Sequence, residues 1–460
     1  MGSTNQTNVL LVTVAAQGHV NPMLRLGHLL LSKGLHVTLA THDHALKHHS
    51  STSTVGGIQL EFFSDGLPKD YNRQNNDFNV YMNSLRQNGP VNLSAMIRSH
   101  PRKFSCIINT PFVPWAADVA AEFQIPCAML WIQPCTLYQI YYCFYNRLNI
   151  FPTETTLDMD VKLPGLPSFA SHELPSFVLP SNTFPTFGSI LNEVLQNIHK
   201  IKWVLGNSFM ELEKDVIESM NDSGRPFWPV GPLVPAGLVG KADETGGDLS
   251  GFDRLKSIET DHCLQWLDKQ PPASVVYISF GSLIFSSEKQ IESIAMGLKS
   301  SKRAFLWVIK LPENQEQGEE VKILEEIKPQ GLIVKWSPQT AVLSHPSVGC
   351  FLSHCGWNSL VESLAAGVPV IACPEWSDQP TNAKLVTEVW KVGVKVRKNS
   401  EGGFEGEEVG RCVEEVMSGP RSEEFRRNAA DLKRAAREAV ADGGSSDRNI
   451  ELFVNELVSY

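Results

Sequence analysis

Apolar and polar positions along the chain fall into repeated strand–helix units. Asn8 to Ala15 is a near-continuous apolar run, the pattern of a strand buried on both faces. Asn21-Pro22 is then expected to open a helix, because proline at the first helical position after an asparagine cap is pre-set for the turn. Met23, Leu24, Leu26, Leu29 and Leu30 follow at helical spacing, Gly34 closes the helix, and His36 to Thr41 is the next strand. Further strands are predicted at Gln59 to Phe62, Cys106 to Asn109, Cys127 to Trp131 and Trp203 to Asn207. Strands separated by helices imply a parallel sheet. Residues 151–185, rich in Pro, Ser and Phe, read as a long irregular loop, and residues 229–260, with Pro229, Gly231, Pro232 and Pro235, as the linker region.

A second parallel-sheet pattern follows. Val275 to Phe280, Ala304 to Ile309 and Gly331 to Lys335 are strand runs, with a helix over Glu288 to Lys299; residues 312–320 read as a polar surface loop. Residues 336–379 carry the densest chemistry. The apolar run Val348 to Leu352 ends in His354-Cys355-Gly356-Trp357-Asn358-Ser359, a helical run from Leu360 to Ala366 follows, and Val368 to Ala372 is the next strand. Polar and small residues therefore collect at the carboxyl end of a strand, the edge at which open parallel sheets bind ligands. The unpaired amides of a helix start favour a phosphate. Gly356 permits close backbone approach, and Asn358 and Ser359 suit a helix start. His354 can donate to a phosphate oxygen. Two indoles, Trp336 and Trp357, can stack on a base, and Glu362 and Asp378 can accept hydrogen bonds from sugar hydroxyls. Together they describe a nucleotide-sugar site. In the first half, His19 stands in the turn after the first strand, at the same kind of edge, and suits proton removal near neutral pH.

The segment from Trp336 to Gln379 closely resembles, without gap or insertion, the signature box of plant family 1 UDP-sugar glycosyltransferases, and the resemblance runs from Gly18-His19 to the final helix. It implies the GT-B fold, two doubly wound Rossmann-like α/β domains facing a cleft: an acceptor-binding domain over 1–235, a linker over 236–251, a donor-binding domain over 252–435, and a last helix, 436–460, packing back on the first domain. By the same resemblance Trp336 stacks on uracil and Gln339 contacts the nucleoside. His354, Ser359 and Ser282 meet the diphosphate with Asn358 beside them, Glu362 takes both ribose hydroxyls, and Trp357, Asp378 and Gln379 hold the sugar, with glucose preferred. His19 is implied as the general base. The family pairs that histidine with an aspartate after a strand; here the matching stretch is Asn109-Thr110-Pro111-Phe112-Val113-Pro114-Trp115, with Thr110 in its place. A carboxylate there would stabilise the imidazolium, so His19 is expected to be less basic than in relatives with the full pair. The threonine that many relatives place after the aromatic at Trp131 is also missing: the chain reads Trp131-Ile132-Gln133.

Composition narrows the partners. At 460 residues two domains of about 200 residues each are expected. Forty Lys and Arg against 50 Asp and Glu give a formal charge of −10, which disfavours nucleic acid and anionic membrane. Nine cysteines, scattered singly and odd in number, read as reduced core thiols. No secretory signal or apolar run of about 18 residues is present, so a cytoplasmic, monomeric protein is expected. No GxGxxG fingerprint, Walker sequence or metal-spaced cluster occurs; Asp158-Met159-Asp160 lies in the irregular loop. The expected reaction is metal-independent, inverting transfer of glucose from UDP-glucose, as co-substrate rather than cofactor, to a phenolic or flavonoid acceptor. Phe112, Trp115, Trp131, Tyr138, Tyr141, Tyr142 and Phe144 are candidates for holding a flat ring. Transfer to an activated aromatic carbon, formation of an acyl-glucose ester, and non-catalytic binding of UDP-sugars or phenolics are the alternatives.

Overall fold

The computed structural model describes residues 7–42, 54–68, 71, 77–241, 257–281, 287–309, 322–400 and 402–460. The strands of the first half are β1 (Asn8–Val12), β2 (His36–His42), β3 (Thr54–Val55), β4 (Ile58–Phe63), β5 (Cys106–Asn109), β6 (Cys127–Trp131), β7 (Asp160–Val161), β8 (Phe169–Ala170), β9 (Trp203–Gly206) and β10 (Phe227–Pro229). Its helices are α1 (Gln17–Ser32), α2 (Phe78–Ser99), α3 (Ala116–Glu122), α4 (Cys135–Tyr145), α5 (Pro185–Gln196) and α6 (Lys214–Asp222). The second half holds β11 (Val275–Ser279), β12 (Ala304–Val308), β13 (Gly331–Val334), β14 (Val348–Ser353), β15 (Val370–Ala372) and β16 (Gly393–Lys395). Around them lie α7 (Ser257–Leu267), α8 (Glu288–Ser301), α9 (Lys322–Ile327), α10 (Gln339–Ser344), α11 (Trp357–Ala366), α12 (Gln379–Lys384), α13 (Gly406–Met417), α14 (Ser422–Val440) and α15 (Ser445–Val458).

Two large sheets organise these elements, with β7 and β8 paired separately as a small antiparallel ribbon. The first has strand order β10-β9-β6-β5-β1-β2-β4-β3, parallel except for β3, and the second, wholly parallel, has order β13-β12-β11-β14-β15-β16. Each sheet is doubly wound: chain order runs outward in both directions from an inner pair, β5/β1 in the first and β11/β14 in the second. A crevice opens beyond the carboxyl ends of such a pair, where the flanking connections leave to opposite faces. Register sets Val12 against Asn109 and Ser279 against Ser353, so the residues that follow those strands face one another across each crevice. The strand interiors are buried, as their uninterrupted apolar runs require.

Three expectations are corrected. α1 begins at Gln17, a turn before Asn21-Pro22, with Ala16 as its cap; His19 therefore lies in the first helical turn rather than in a loop ahead of it. Pro229, assigned to the linker, ends β10, which pairs with β9. The final helix begins at Ser445 rather than at 436, since α14 runs on to Val440. That helix crosses to the first sheet. Ile450, Phe453 and Leu457 are buried there, Phe453 meets Trp203 edge-on at 5.1 Å, and the Trp203 indole donates to Glu456 Oε2 at 2.7 Å. The loop expectation at 312–320 and Ser282 both fall outside the described residues. All nine cysteines are buried as reduced thiols.

Candidate active site

The crevice of the first sheet is built by β1 and β5. α1 leaves directly after β1 and carries His19, while Thr110 follows β5. His19 Nδ1 lies 3.3 Å from Thr110 Oγ1, which is itself 3.3 Å from Thr13 Oγ1. Phe112 leans against the imidazole, its ring centroid 4.5 Å away. Among the described residues no carboxylate enters this chain of hydroxyls. Burial among neutral groups lowers the His19 pKa from its ordinary range to about 3, so the ring is neutral at physiological pH. Thr110 thus occupies the orienting position beside the imidazole, but brings no charge to stabilise its cation.

The second crevice, beyond β11 and β14, holds the signature residues. His354 sits between two glycines: a Cβ on Gly356 would lie 2.4 Å from its Nε2, and one on Gly281 2.9 Å from its Cε1. Gly281 also has φ +78°, which a side chain would strain. Burial lowers the His354 pKa to about 4. α11 starts one residue after Gly356, which caps it with no side-chain bond to the first turn. The helix's leading amides therefore point toward the β11/β14 crevice. Gln339, at the start of α10, donates through Nε2 to Ser359 Oγ at 3.0 Å and to Glu362 Oε2 at 2.8 Å. The buried Tyr277 hydroxyl, 2.9 Å from Ser337 Oγ, donates to Gln339 Oε1 at 3.3 Å and fixes the orientation of that amide. Trp336 is half-buried just after β13. Asp378 and Gln379 follow β15. Asp378 Oδ2 accepts from Asn382 Nδ2 at 2.7 Å, and burial raises its pKa to about 6. Gln379 Oε1 accepts from the Glu375 and Trp376 amides at 2.9 and 3.3 Å.

Two signature residues do something the sequence did not suggest. The Trp357 indole, expected at the sugar, is buried and donates to Asn207 O of the first half at 2.8 Å, so its side chain is an inter-domain strut. Asn358, expected beside the diphosphate, donates to Gly18 O at 2.9 Å. The reason lies in α1: Pro22 has no amide hydrogen, so the Gly18 carbonyl four residues earlier lacks its helical donor, and Asn358 supplies one from across the cleft. The two halves are also tied by Ser176 and Ser377, each amide of which is bonded to the other residue at 2.9 Å, and by the buried Lys384–Glu173 pair at 2.7 Å.

The aromatic expectation is only partly met. Trp131, Tyr138 and Tyr141 are core residues of the first half. The ring against His19 is that of Phe112, one of those candidates; it meets Phe187 at 5.3 Å, while Phe187 stacks on Phe78 and Phe177, and Phe184 abuts Trp376 of the second half. A small cleft of about 90 Å³ lies beside Phe112, lined by Met82, Trp115, Ile190 and the Arg86–Glu193 pair. Phe177, Phe184 and Phe187 lie in the Pro- and Phe-rich stretch and its edge, where composition marked an irregular segment but no periodicity could show convergence. Arg25 is another site residue that sequence reasoning missed. It lies amid the apolar stripe of α1 and reaches Glu362 Oε1 at 3.2 Å.

Facing parallel-sheet domains, with a helix start and a glycine-bracketed histidine in one crevice and a buried imidazole in the other, define a GT-B glycosyltransferase. Comparisons with known proteins agree. The sequence model of the family "UDP-glucoronosyl and UDP-glucosyl transferase" matches residues 261–436. UDP-glycosyltransferase 84B1 of Arabidopsis thaliana is 45% identical over 99% of both chains. Gallate 1-beta-glucosyltransferase 84A24 of Punica granatum is 41% identical over 99% of this chain and 90% of its own. The crystal structure of Os79 from O. sativa in complex with UDP superposes with a TM-score of 0.87 at 34% identity, covering 98% of this chain and all of that one. The chain belongs to the UDP-glycosyltransferase family and is a transferase that moves sugar from a UDP donor to small molecules. Among the described residues no helix is long and apolar enough to cross a membrane.

Proposed function

We propose that this enzyme transfers glucose from UDP-glucose to the carboxylate of a small aromatic acid, forming a glucose ester with inversion at the anomeric carbon. The observation that carries the reading is the uncharged Thr13–Thr110–His19 chain, with His19 held neutral by burial. A hydroxyl acceptor must lose a proton as it attacks, and a base of such low pKa has little driving force to take it. A carboxylate arrives already ionised. It needs no base, only a site without a fixed negative charge, and an aspartate at position 110 would repel it. His19 then orients the acceptor as a neutral hydrogen-bond partner. A carboxylate oxygen attacks the anomeric carbon, the bond from that carbon to the diphosphate breaks, and UDP departs with the electron pair. His354 and the leading amides of α11 meet its charge. Trp336, Gln339, Ser359 and Glu362 hold the nucleoside and diphosphate, and Asp378 and Gln379 hold the glucose. The reading needs neither metal nor organic cofactor and places a monomer in the cytoplasm, its acceptor domain over 1–235 and donor domain over 252–435.

Relatives named gallate 1-beta-glucosyltransferase in Punica granatum and Quercus robur support an acid as acceptor, since gallate carries a carboxylate as well as phenols. The test is incubation with UDP-glucose and matched pairs of an aromatic acid and its methyl ester bearing a free phenol. The acid is expected to give a product cleaved by mild alkali. Products formed only from the phenolic esters, or an acid-stable carbon glucoside, would contradict the proposal.

A further inference from the structure

Arg25 lies six residues beyond His19 on α1, in the acceptor-side half, yet its guanidinium is almost buried at the donor site. Nη2 donates to Glu362 Oε1 at 3.2 Å and Nη1 to Leu233 O at 2.9 Å; the side chains of Arg25 and Glu362 are 11% and 9% exposed. We propose that Arg25 is a positioning residue for the donor: it holds the Glu362 carboxylate in the orientation that receives the two ribose hydroxyls. The inference rests on the reading of Glu362 as the ribose acceptor.

Counting lone pairs shows why a clamp is needed. An ionised carboxylate has about four acceptor positions, and both hydroxyls of a ribose must find one each. Gln339 uses one on Oε2 and Arg25 one on Oε1, leaving one free position on each oxygen. The two remaining positions form a matched pair, spaced as a cis-diol requires. Without Arg25 one oxygen loses its anchor, and the carboxylate turns about its last torsion, a soft and broad one. A buried carboxylate also needs a compensating charge, and Arg25 is the cation that the described residues place on it. Because the same guanidinium grips Leu233 O, at the end of the first half, the carboxylate is referenced to the frame that carries His19 rather than to α11 alone.

The test compares UDP with 2′,3′-dideoxy-UDP by calorimetric titration of the full chain, alongside donor kinetics. Two charge-assisted hydrogen bonds are worth about a hundredfold, so the wild-type protein should bind UDP about a hundredfold more tightly than the dideoxy compound. In R25Q that ratio should fall to about tenfold or less, chiefly through weaker UDP binding, with KM for UDP-glucose raised about tenfold and kcat within about threefold. A merely structural role would weaken both ligands alike and leave the ratio in place. R25K, which keeps the charge but not the fork, should give an intermediate ratio and decides the matter should R25Q not fold. A ratio within twofold of wild type in the folded variants would overturn the role of Arg25. A wild-type protein that does not discriminate the two ligands would overturn the assignment of Glu362 first, and Arg25 with it.

Discussion

At position 110 a single threonine decides which acceptors the site suits. In T110D a carboxylate would face His19 Nδ1 at the place where Thr110 Oγ1 now lies 3.3 Å away. A carboxylate there supports the imidazolium and raises the histidine's basicity. Activity on a weakly acidic phenol should rise about tenfold and activity on an aromatic acid should fall by a similar factor, both read as kcat/KM. His19→Ala should cost less than about tenfold on either acceptor in the wild-type enzyme, and should erase the gain on a phenol in the T110D background. Because burial takes His19 to about 3, kcat/KM for an acid acceptor should show no inflection near the ordinary histidine value of about 6.5; a step there would mean that His19 charges in the working enzyme. The sequence made the departure at Thr110 visible. What it did not make visible was the burial that lowers the pKa, to which Phe112 leaning on the ring contributes. Trp357 shows the opposite limit: an indole in a ligand-binding motif reads as a ligand contact until the Asn207 carbonyl is seen to accept its hydrogen.

Among the elements, the start of α11 is the part most fully specified by local sequence. β14 and the helix were expected; the cap is Gly356 rather than Asn358 or Ser359, so the helix starts at Trp357. Its function depends on space: His354 fits because Gly281 and Gly356 have no side chains. G356A should push the imidazole out of place, weakening UDP binding about tenfold in a titration while the far-UV spectrum stays unchanged. Unaltered UDP affinity would separate His354 from the diphosphate. α1 was harder to read. Asn-Pro is a strong start signal, and it misplaced the helix by a turn because proline is also tolerated where a neighbour uses the carbonyl it leaves free. That neighbour, Asn358, lies 340 residues away, and no local pattern could announce it.

Across the whole molecule, the two crevices and their strand pairs were legible because buried parallel strands are continuous apolar runs. The inter-domain fastenings were not, since they are single polar contacts between distant segments. α15 is a further, apolar fastening: its own residues showed only a helix, and its packing against the first domain was expected from the family resemblance alone. F453A should destabilise the protein by about 3–5 kcal/mol, measured by denaturant titration, while KM for UDP-glucose stays close to wild type. Acid should also loosen the fold. His19 and His354 contribute stability that is present above about 6.5, where the unfolded imidazoles are neutral, and lost as pH falls toward their folded values of about 3 and 4. Asp378, raised to about 6, works the other way, stabilising the fold below its unfolded value and losing that contribution as pH rises through 6. The raised carboxyls Glu213 and Glu375 act in the same sense as Asp378, but the lowered carboxyls Glu173, Glu408, Glu414 and Asp447 join the two imidazoles in losing stability as pH falls, so the thermal midpoint should fall from pH 7 to pH 4.

The most direct measurement is a crossed comparison: kcat/KM of the wild-type enzyme and of T110D, each on an aromatic acid and on a phenol of the same shape. If the uncharged pair of Thr110 and neutral His19 selects an acceptor that arrives ionised, wild type prefers the acid, and the substitution lowers that activity while raising activity on the phenol. Equal changes on both acceptors, or a wild-type preference for the phenol, would contradict the account.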